Sequence, residues 1–358
     1  MHDCCGPDSK AHSHSHTMET EAPDVLNARF EELSALEQEF EDIEAEIIRK
    51  AEALQAPLYK KRADFVAKIP HFWPLVFEQA PPEIDNFIQP SDSKVFAESL
   101  DTFEVLRFEL DDPKGSPRSF ALKFGFNDNE YFEDKVLEKK FWYRKTKDWA
   151  GLVSEPVKIH WKKEKDLTGG LTDAACKLNE VRKKLSTDTS SGAARKEEAK
   201  TKEYKRLAQK IETSVEASVS FFGLFAFVSG YRWVSEQESE QAVKEEKERF
   251  EKIRQGEKVD EEDDDEEDPQ DYQEIEVFPG GDEVATIIAE DMWPNAIKYY
   301  RSTFDEDEDD EELSDLDVMD LSDEDDEDDD QEPVDIRALV GKGRKSGPEP
   351  PAKKQRKA

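Results

Sequence analysis

Between Pro23 and Lys68 the apolar residues fall on a single stripe. Leu26, Leu33, Phe40, Ile47 and Leu54 recur every seventh residue, and Phe30, Leu36, Ile43, Ala51 and Leu58 fill the steps of three and four between them. Glu31, Glu32, Glu39, Glu41, Lys50 and Glu52 occupy the opposite side. Four to five such heptads predict a long amphipathic helix over residues 23–69. At 1.5 Å per residue it would reach ~69 Å, more than twice the ~30 Å width of a small domain. A stripe that long needs a second chain to cover it. From Glu19 to Glu46 there are eleven acidic residues and one basic; from Ile47 to Lys68 there are six basic and two acidic. An antiparallel pair sets the acidic half of one copy against the basic half of the other, so an antiparallel homodimer is expected along these ten apolar positions. Pro57 interrupts the helical bonding. It leaves two readings, one kinked helix or a helical hairpin turned at Pro57; Leu58 keeps the register and favours the first.

The pattern changes after Ile69-Pro70. Short helices are expected at Leu75–Phe77 and Asp92–Leu100. Strand signals follow at Thr102–Leu110, at Phe120, Leu122, Phe124 and Phe126, at Leu137, Phe141 and Tyr143, and at Val157, Ile159 and Trp161. These predict a four-stranded antiparallel meander with one apolar and one wet face. Phe221, Leu224, Phe225 and Val228 have helical spacing and should cover the apolar face. Glu236–Gln255 reads as a polar helix. A last helix begins at Gly280-Gly281-Asp282 with Asp282 as its cap, buries Val284, Ile287, Ile288 and Met292, and stops at Trp293-Pro294. The fold class expected is α+β: a disordered tail (1–22), the long helix (23–69), a domain of sheet and covering helices (70–304) with charged insertions near 170–213 and 236–280, and a disordered acidic tail (305–358).

Charge sharpens this division. The chain of 358 residues has a formal net charge of −37. Nine consecutive acids at Asp260–Asp268 and twenty acids without a base in Asp305–Glu332 carry most of it, leaving an ordinary surface on the rest. Such runs are solvated, so they supply charge and not the positioned, shifted carboxylates that catalysis requires. With no phosphate-cradling loop, nucleophile elbow or spaced ligand set, the chain reads as a non-enzyme without a cofactor. His12, His14 and His16 alternate in the N-terminal tail and could take a transition metal, although a tail without a fourth ligand is favoured. Three cysteines make no disulfide framework. No signal peptide is visible, and the longest apolar run, near Val219–Val228, is about half of the ~20 residues of a membrane span. A soluble intracellular protein is expected. A flexible polyanion takes a polycation, and many weak exposed ion pairs sum to salt-sensitive binding and fast encounter. Lys342, Arg344 and Lys345, then Lys353, Lys354, Arg356 and Lys357, form two basic clusters that suit a bipartite nuclear import signal; a basic end that only balances the acid is the other reading.

Several motifs resemble one known family. They are Gln55-Ala-Pro-Leu-Tyr-Lys-Lys-Arg62, Ala67-Lys-Ile-Pro-His-Phe-Trp73, Gly125-Phe-Asn-Asp-Asn-Glu-Tyr-Phe-Glu-Asp-Lys-Val-Leu137, Val157-Lys-Ile-His-Trp161 with Lys165-Asp-Leu167, and Glu290-Asp-Met-Trp-Pro-Asn-Ala-Ile-Lys-Tyr-Tyr300. In this order they are similar to the nucleosome assembly protein family and, within it, to the SET-like histone chaperones. The resemblance implies a dimer on an antiparallel helix that carries a proline where Pro57 stands, with an α+β "earmuff" domain on each side. It also implies core-histone binding by the concave underside and the acidic tail, in nucleosome assembly or disassembly, and a nuclear location with shuttling to the cytoplasm. Glu290 and Asp291 match the family's acidic motif and, with Asp305, Glu306, Asp307, Glu308, Asp309, Asp310, Glu311 and Glu312, are the candidate histone contacts; pairing of Glu290 and Asp291 within the domain is the other reading. The family also makes a regulator of a phosphatase or a cofactor of a histone acetyltransferase the alternative function, and DNA or chromatin a further partner. Ser314 and Ser322 stand before acids, as substrates of an acid-preferring kinase or as plain polar spacers. The insertions depart from the family's pattern.

Overall fold

The computed structural model describes residues 23–112, 114–147, 149–185, 191–214, 220–228, 234–255 and 274–313, without side-chain detail at 23–28, 31, 191–195 and 305–313. The three alternating histidines, the acidic run Asp260–Asp268, Ser314, Ser322 and the basic clusters from Lys342 onward lie outside these residues.

Helix α1 (Pro23–Val66) is continuous for 44 residues, about 66 Å. It runs through Pro57, so the choice between one helix and a hairpin resolves to one helix. Helices α2 (Phe72–Glu78), α3 (Pro82–Asp85) and α4 (Pro90–Ser99) lead into the sheet. Its strands, β1 (Leu100–Leu106), β2 (Phe120–Phe126), β3 (Val136–Lys145) and β4 (Ala150–Ser154), pair in sequence order, each antiparallel to the next. The second and third match the expected alternation, while the first begins at Leu100 and ends at Leu106, four residues short of the expected Leu110, where the chain turns. The fourth does not, because β4 lies before Val157–Trp161. That segment is extended and keeps its alternation because Ile159 is buried and the Val157 amide donates to the carbonyl of Phe225 (2.7 Å). Among the described residues its one bridge is Phe132 to Trp161.

The core lies on one side of the sheet. Phe120, Leu122 and Phe124 meet Phe103, Leu137 and Phe141 across it, and all are 3% exposed or less. The expected covering helix is a shorter 3-10 turn, Phe221–Phe225, whose rings pack edge-on to Phe124 and Phe96. Buried Asp92 ties this turn to α4: its carboxylate accepts from Ser220 Oγ (2.6 Å), the Phe221 amide (2.7 Å) and the Gln89 amide (3.0 Å). Burial outweighs these bonds and pushes its pKa up to about 6.

The first insertion forms three helices, α5 (Leu171–Leu185), α6 (Ser191–Lys200) and α7 (Lys202–Thr213), around a second small core of Leu171, Ala175, Leu178, Leu207 and Phe227. Helix α8 (Glu236–Arg254) starts with a capping box at Ser235 and Glu238, buries Phe250 and rests on α1 and β3. Helix α9 (Gly281–Ile287) is entered by Gly280 at φ 71°, so the cap position falls on Gly280 and not on Asp282. A left-handed entry favours glycine, and Asp282 becomes the second helical residue. A π-turn, Ile288–Met292, follows, closed by the Trp293 amide on the carbonyl of Ile288 (2.9 Å). Helix α10 (Ala296–Leu313) packs on α2 and continues past the expected boundary at Phe304.

Candidate interface for a basic partner

The outward stripe of α1 is largely uncovered among the described residues. Phe30, Leu33, Leu36, Phe40, Ile43, Ile47, Leu54 and Leu58 are between 49% and 76% exposed, while Ala51 is half-buried and Leu26 lies outside the described side chains. Phe65 continues the stripe at 68%, a position the heptad reading missed although it lies seven residues past Leu58. Such a row on one helix marks an interaction surface, since monomers rarely leave apolar patches this continuous.

The opposite side of α1 sits on its own domain, and ionic contacts set the seat. Arg254 meets Glu39 (2.8 Å), Arg118 meets Glu44 (2.9 Å), and Lys145 reaches both Glu41 (3.5 Å) and Glu246 on α8 (2.7 Å). Beside the stripe lies an open groove of about 720 Å³, lined by Leu33, Leu36 and Phe40, by Glu37, Glu41 and Glu44, and by Arg118 and Tyr143 from the sheet side. Further along, Glu32, Asp42 and Glu46 on α1 and Glu245, Glu248 and Glu251 on α8 are exposed. On α8 these acids alternate with exposed Lys244, Lys247 and Lys252, and Glu248 pairs with Lys244 (3.7 Å), so the acidic side next to the apolar stripe belongs to α1, a surface that suits a basic, partly apolar partner.

The far end of α1 is anchored differently. Arg62, 9% exposed, lies 4.0 Å from the ring centre of Trp293 and 4.8 Å from that of Tyr59. It donates to the Trp293 carbonyl, and Trp73 stacks on Trp293 at 5.5 Å. Burial lowers the Arg62 pKa to about 10. Reading the motif around Arg62 did not reveal this box, since its partner is 231 residues away.

Glu290 and Asp291 occupy the π-turn just before that box. Glu290, half exposed, pairs with Arg107 (3.2 Å). Asp291 accepts from Asn295 Nδ2 (2.8 Å) and from the Tyr299 hydroxyl. The structure thus brings these two together and gives both partners inside the domain. Of the tail acids Asp305–Glu312, only the backbone is described, as part of α10.

Three buried charged residues escaped the sequence reading. Glu109 and Arg144 form a bidentate pair (3.2 and 3.3 Å) completed by Ser119 Oγ at 2.6 Å. Lys139 lies on the core face of β3 and donates to the carbonyls of Glu155 (2.8 Å) and Ala226 (2.6 Å). Burial lowers its pKa to about 7, against smaller opposing effects of Cys176 and Glu155. Its position between Leu137 and Phe141 in an alternating strand was the available signal. Among the described residues no cluster of three or more His, Cys, Asp or Glu could hold a metal, and no helix is long and apolar enough to cross a membrane.

Comparison with known proteins places these features. The family model for the nucleosome assembly protein (NAP) matches residues 64–303. "Putative nucleosome assembly protein C36B7.08c" of Schizosaccharomyces pombe is 39% identical over 149 residues, 38% of this chain and 59% of that protein. Drosophila melanogaster "Protein SET" is 30% identical over 154 residues, 42% of this chain and 54% of that protein. The matched part of the chain therefore spans a little over half the length of these relatives. Among solved structures, Ccp1 shares 25% identity with a TM-score of 0.46, covering 78% of this chain and 97% of that one. The Vps75 histone chaperone shares 20% with a TM-score of 0.43, covering 79% and 100%. With two thirds of its length matched by the family model, the chain belongs to the nucleosome assembly protein family.

Proposed function

We propose that this protein is a histone chaperone that works as an antiparallel homodimer. Family membership supports the class of function. The observation that carries the surface is the apolar stripe of α1, exposed among the described residues, with the acidic residues of the same helix beside it. Two copies of α1, packed antiparallel, would cover the stripe and set the acidic half of each against the basic half around Lys60 and Lys61. The acids left outside that seam, with Glu290, Asp291 and Asp305–Glu312, form the face for core histones. Arg107 and Tyr299 hold Glu290 and Asp291 without neutralising the surrounding field. The basic clusters between Lys342 and Lys357 would direct the chain to the nucleus, with shuttling to the cytoplasm, where it assists nucleosome assembly or disassembly. Ser314 and Ser322 are candidate phosphorylation sites whose modification would add charge to the tail.

Core histones titrated into the full chain and into a chain ending at Phe304, at low and moderate salt, test this. Both should bind, the shorter less tightly and with a weaker salt dependence. If only the full chain binds and free polyglutamate competes equally well, the folded surface contributes nothing. If neither binds, the reading fails.

A further inference from the structure

The insertion helices α5 to α7 meet the sheet at a fully buried cation. Lys139 stands on the core face of β3, opposite Leu122 of β2. Its Nζ donates to the carbonyls of Glu155 (2.8 Å) and Ala226 (2.6 Å). Ala226 sits where the two cores join. Phe225 and Val228 belong to the large core, whereas Ala226 and Phe227 belong to the small one under α5 and α7. The same stretch is tied on both sides, by the Val157 amide on the carbonyl of Phe225 (2.7 Å) and by the Val277 amide on that of Phe227 (3.0 Å).

These surroundings suit an amine better than an ammonium. A neutral amine has two N–H groups, which match the two carbonyls; an ammonium has a third. Among the described residues that third N–H has no acceptor, and the ring that Lys139 faces, Phe141, is 5.8 Å away. From α5 it faces Cys176, whose thiol burial pushes up to about 11 and so keeps neutral, with Asp173 and Glu180 further along that helix. From the segment after β4 it faces Glu155 and, beyond it, Lys158. The Glu155 carboxylate is turned to Lys183 (2.8 Å). Leu122 and residues 221–227 bring no charge. Arg144, buried on the same strand, has a bidentate carboxylate in Glu109; Lys139 has none.

We infer that Lys139 is a proton-operated latch between the sheet and the insertion: as a neutral amine it holds Ala226 and the helices over it in place, and protonation loosens them. Burial brings this change to neutral pH, lowering the Lys139 pKa to about 7. Lifting α5 and α7 would hydrate the amine and restore its ordinary value of 10.5. Between these values the closed form holds fewer protons than the open one, so rising pH favours closing. Below about 7 both forms hold the proton and the dependence ends. The inference goes beyond the histone reading and does not rest on it.

Hydrogen exchange of the full chain from about pH 7.5 to about pH 9.5, inside that window, tests the latch. Exchange of an open amide is first order in hydroxide, so an ordinary opening gives rates that climb with pH. The latch lowers the opening constant about tenfold per pH unit, which cancels the climb. Amides of Ala175 and Leu178 on α5 and of Leu207 on α7 should therefore exchange at rates nearly independent of pH, and faster than those of Leu122 and Phe141 in the sheet. In Lys139→Met the same helix amides should regain the climb, about tenfold per pH unit. Lys183→Gln, which removes the exposed pair with Glu155, should behave like the unchanged protein. Helix amides of the unchanged protein that climb with pH would overturn the latch, because the amine would then keep its proton in the fold. Helix amides that exchange no faster than those of the sheet would also overturn it, since the insertion would open only with the whole domain. If Lys139→Met does not fold, the Cε carbon resonance of Lys139 in the unchanged protein decides: it should titrate near neutral pH, and titration at the pH of an ordinary lysine overturns the latch.

Discussion

The core face of β2 and the outer stripe of α1 are built from the same kinds of residue and end in opposite states. Phe120, Leu122 and Phe124 are 1% exposed or less. Phe30, Leu33 and Phe40 are 58% to 61% exposed. The difference is one of supply. The strand has neighbours on both edges and Phe221–Phe225 above it, while the helix is longer than anything its own domain can lay against it. Apolar content alone does not say where a residue ends up; the area available to cover it does. Stability of the sheet is therefore a property of one chain, and in the proposed dimer stability of the α1 stripe is a property of protein concentration.

This contrast can be broken at either side. Phe124→Ala should cost about 3–5 kcal/mol, the usual range for an aromatic core truncation, and chemical denaturation should show that loss at every protein concentration. Lys139→Met should cost about 2–4 kcal/mol by leaving two carbonyls unpaired, at about 1–3 kcal/mol each less the gain in apolar packing. Its pH dependence has a definite sign. Between about 7 in the folded chain and 10.5 unfolded, the native state holds fewer protons, so this group adds stability as pH rises through that window. Melting curves from pH 7 to 10 should show the gap between native protein and variant widening; a constant gap would mean that Lys139 stays charged in the fold. Phe40→Ala should remove about 1.5–3 kcal/mol of burial per chain from self-association. Sedimentation should report this as a weaker dimer, with sheet stability in dilute solution unchanged. Glu290→Gln should change stability by only ~0–1 kcal/mol, as expected for a half-exposed pair with Arg107.

Legibility in the sequence followed the range of the interactions concerned. The stripe on α1 and the alternation in β2 and β3 are local periodicities, and both could be read directly. β4 was missed because Ala150–Ser154 is short and buries its last three residues in succession, whereas Val157, Ile159 and Trp161 alternate without a ladder. Alternation reports which side of a segment is buried, not whether it has a strand beside it. The start of α9 was misplaced by two residues because Asp282 is the stronger cap by residue type, while the left-handed backbone at Gly280 decided the geometry. At the candidate interface the acids and the stripe were legible, whereas the Arg62 box and the seat of α1 on Lys145, Arg118 and Arg254 join distant parts of the chain. Neither has a local signature.

The π-turn at Ile288–Met292 has one more consequence. An α-helix turns about 100° per residue, so the additional residue in this turn acts as a phase shifter for everything downstream. It sets the bearing of Trp293 toward Arg62. Removing Ala289 alone would turn the Trp293 ring by about a quarter of a circle around the helix axis, away from Arg62, with the rest of the Arg62 box unaltered.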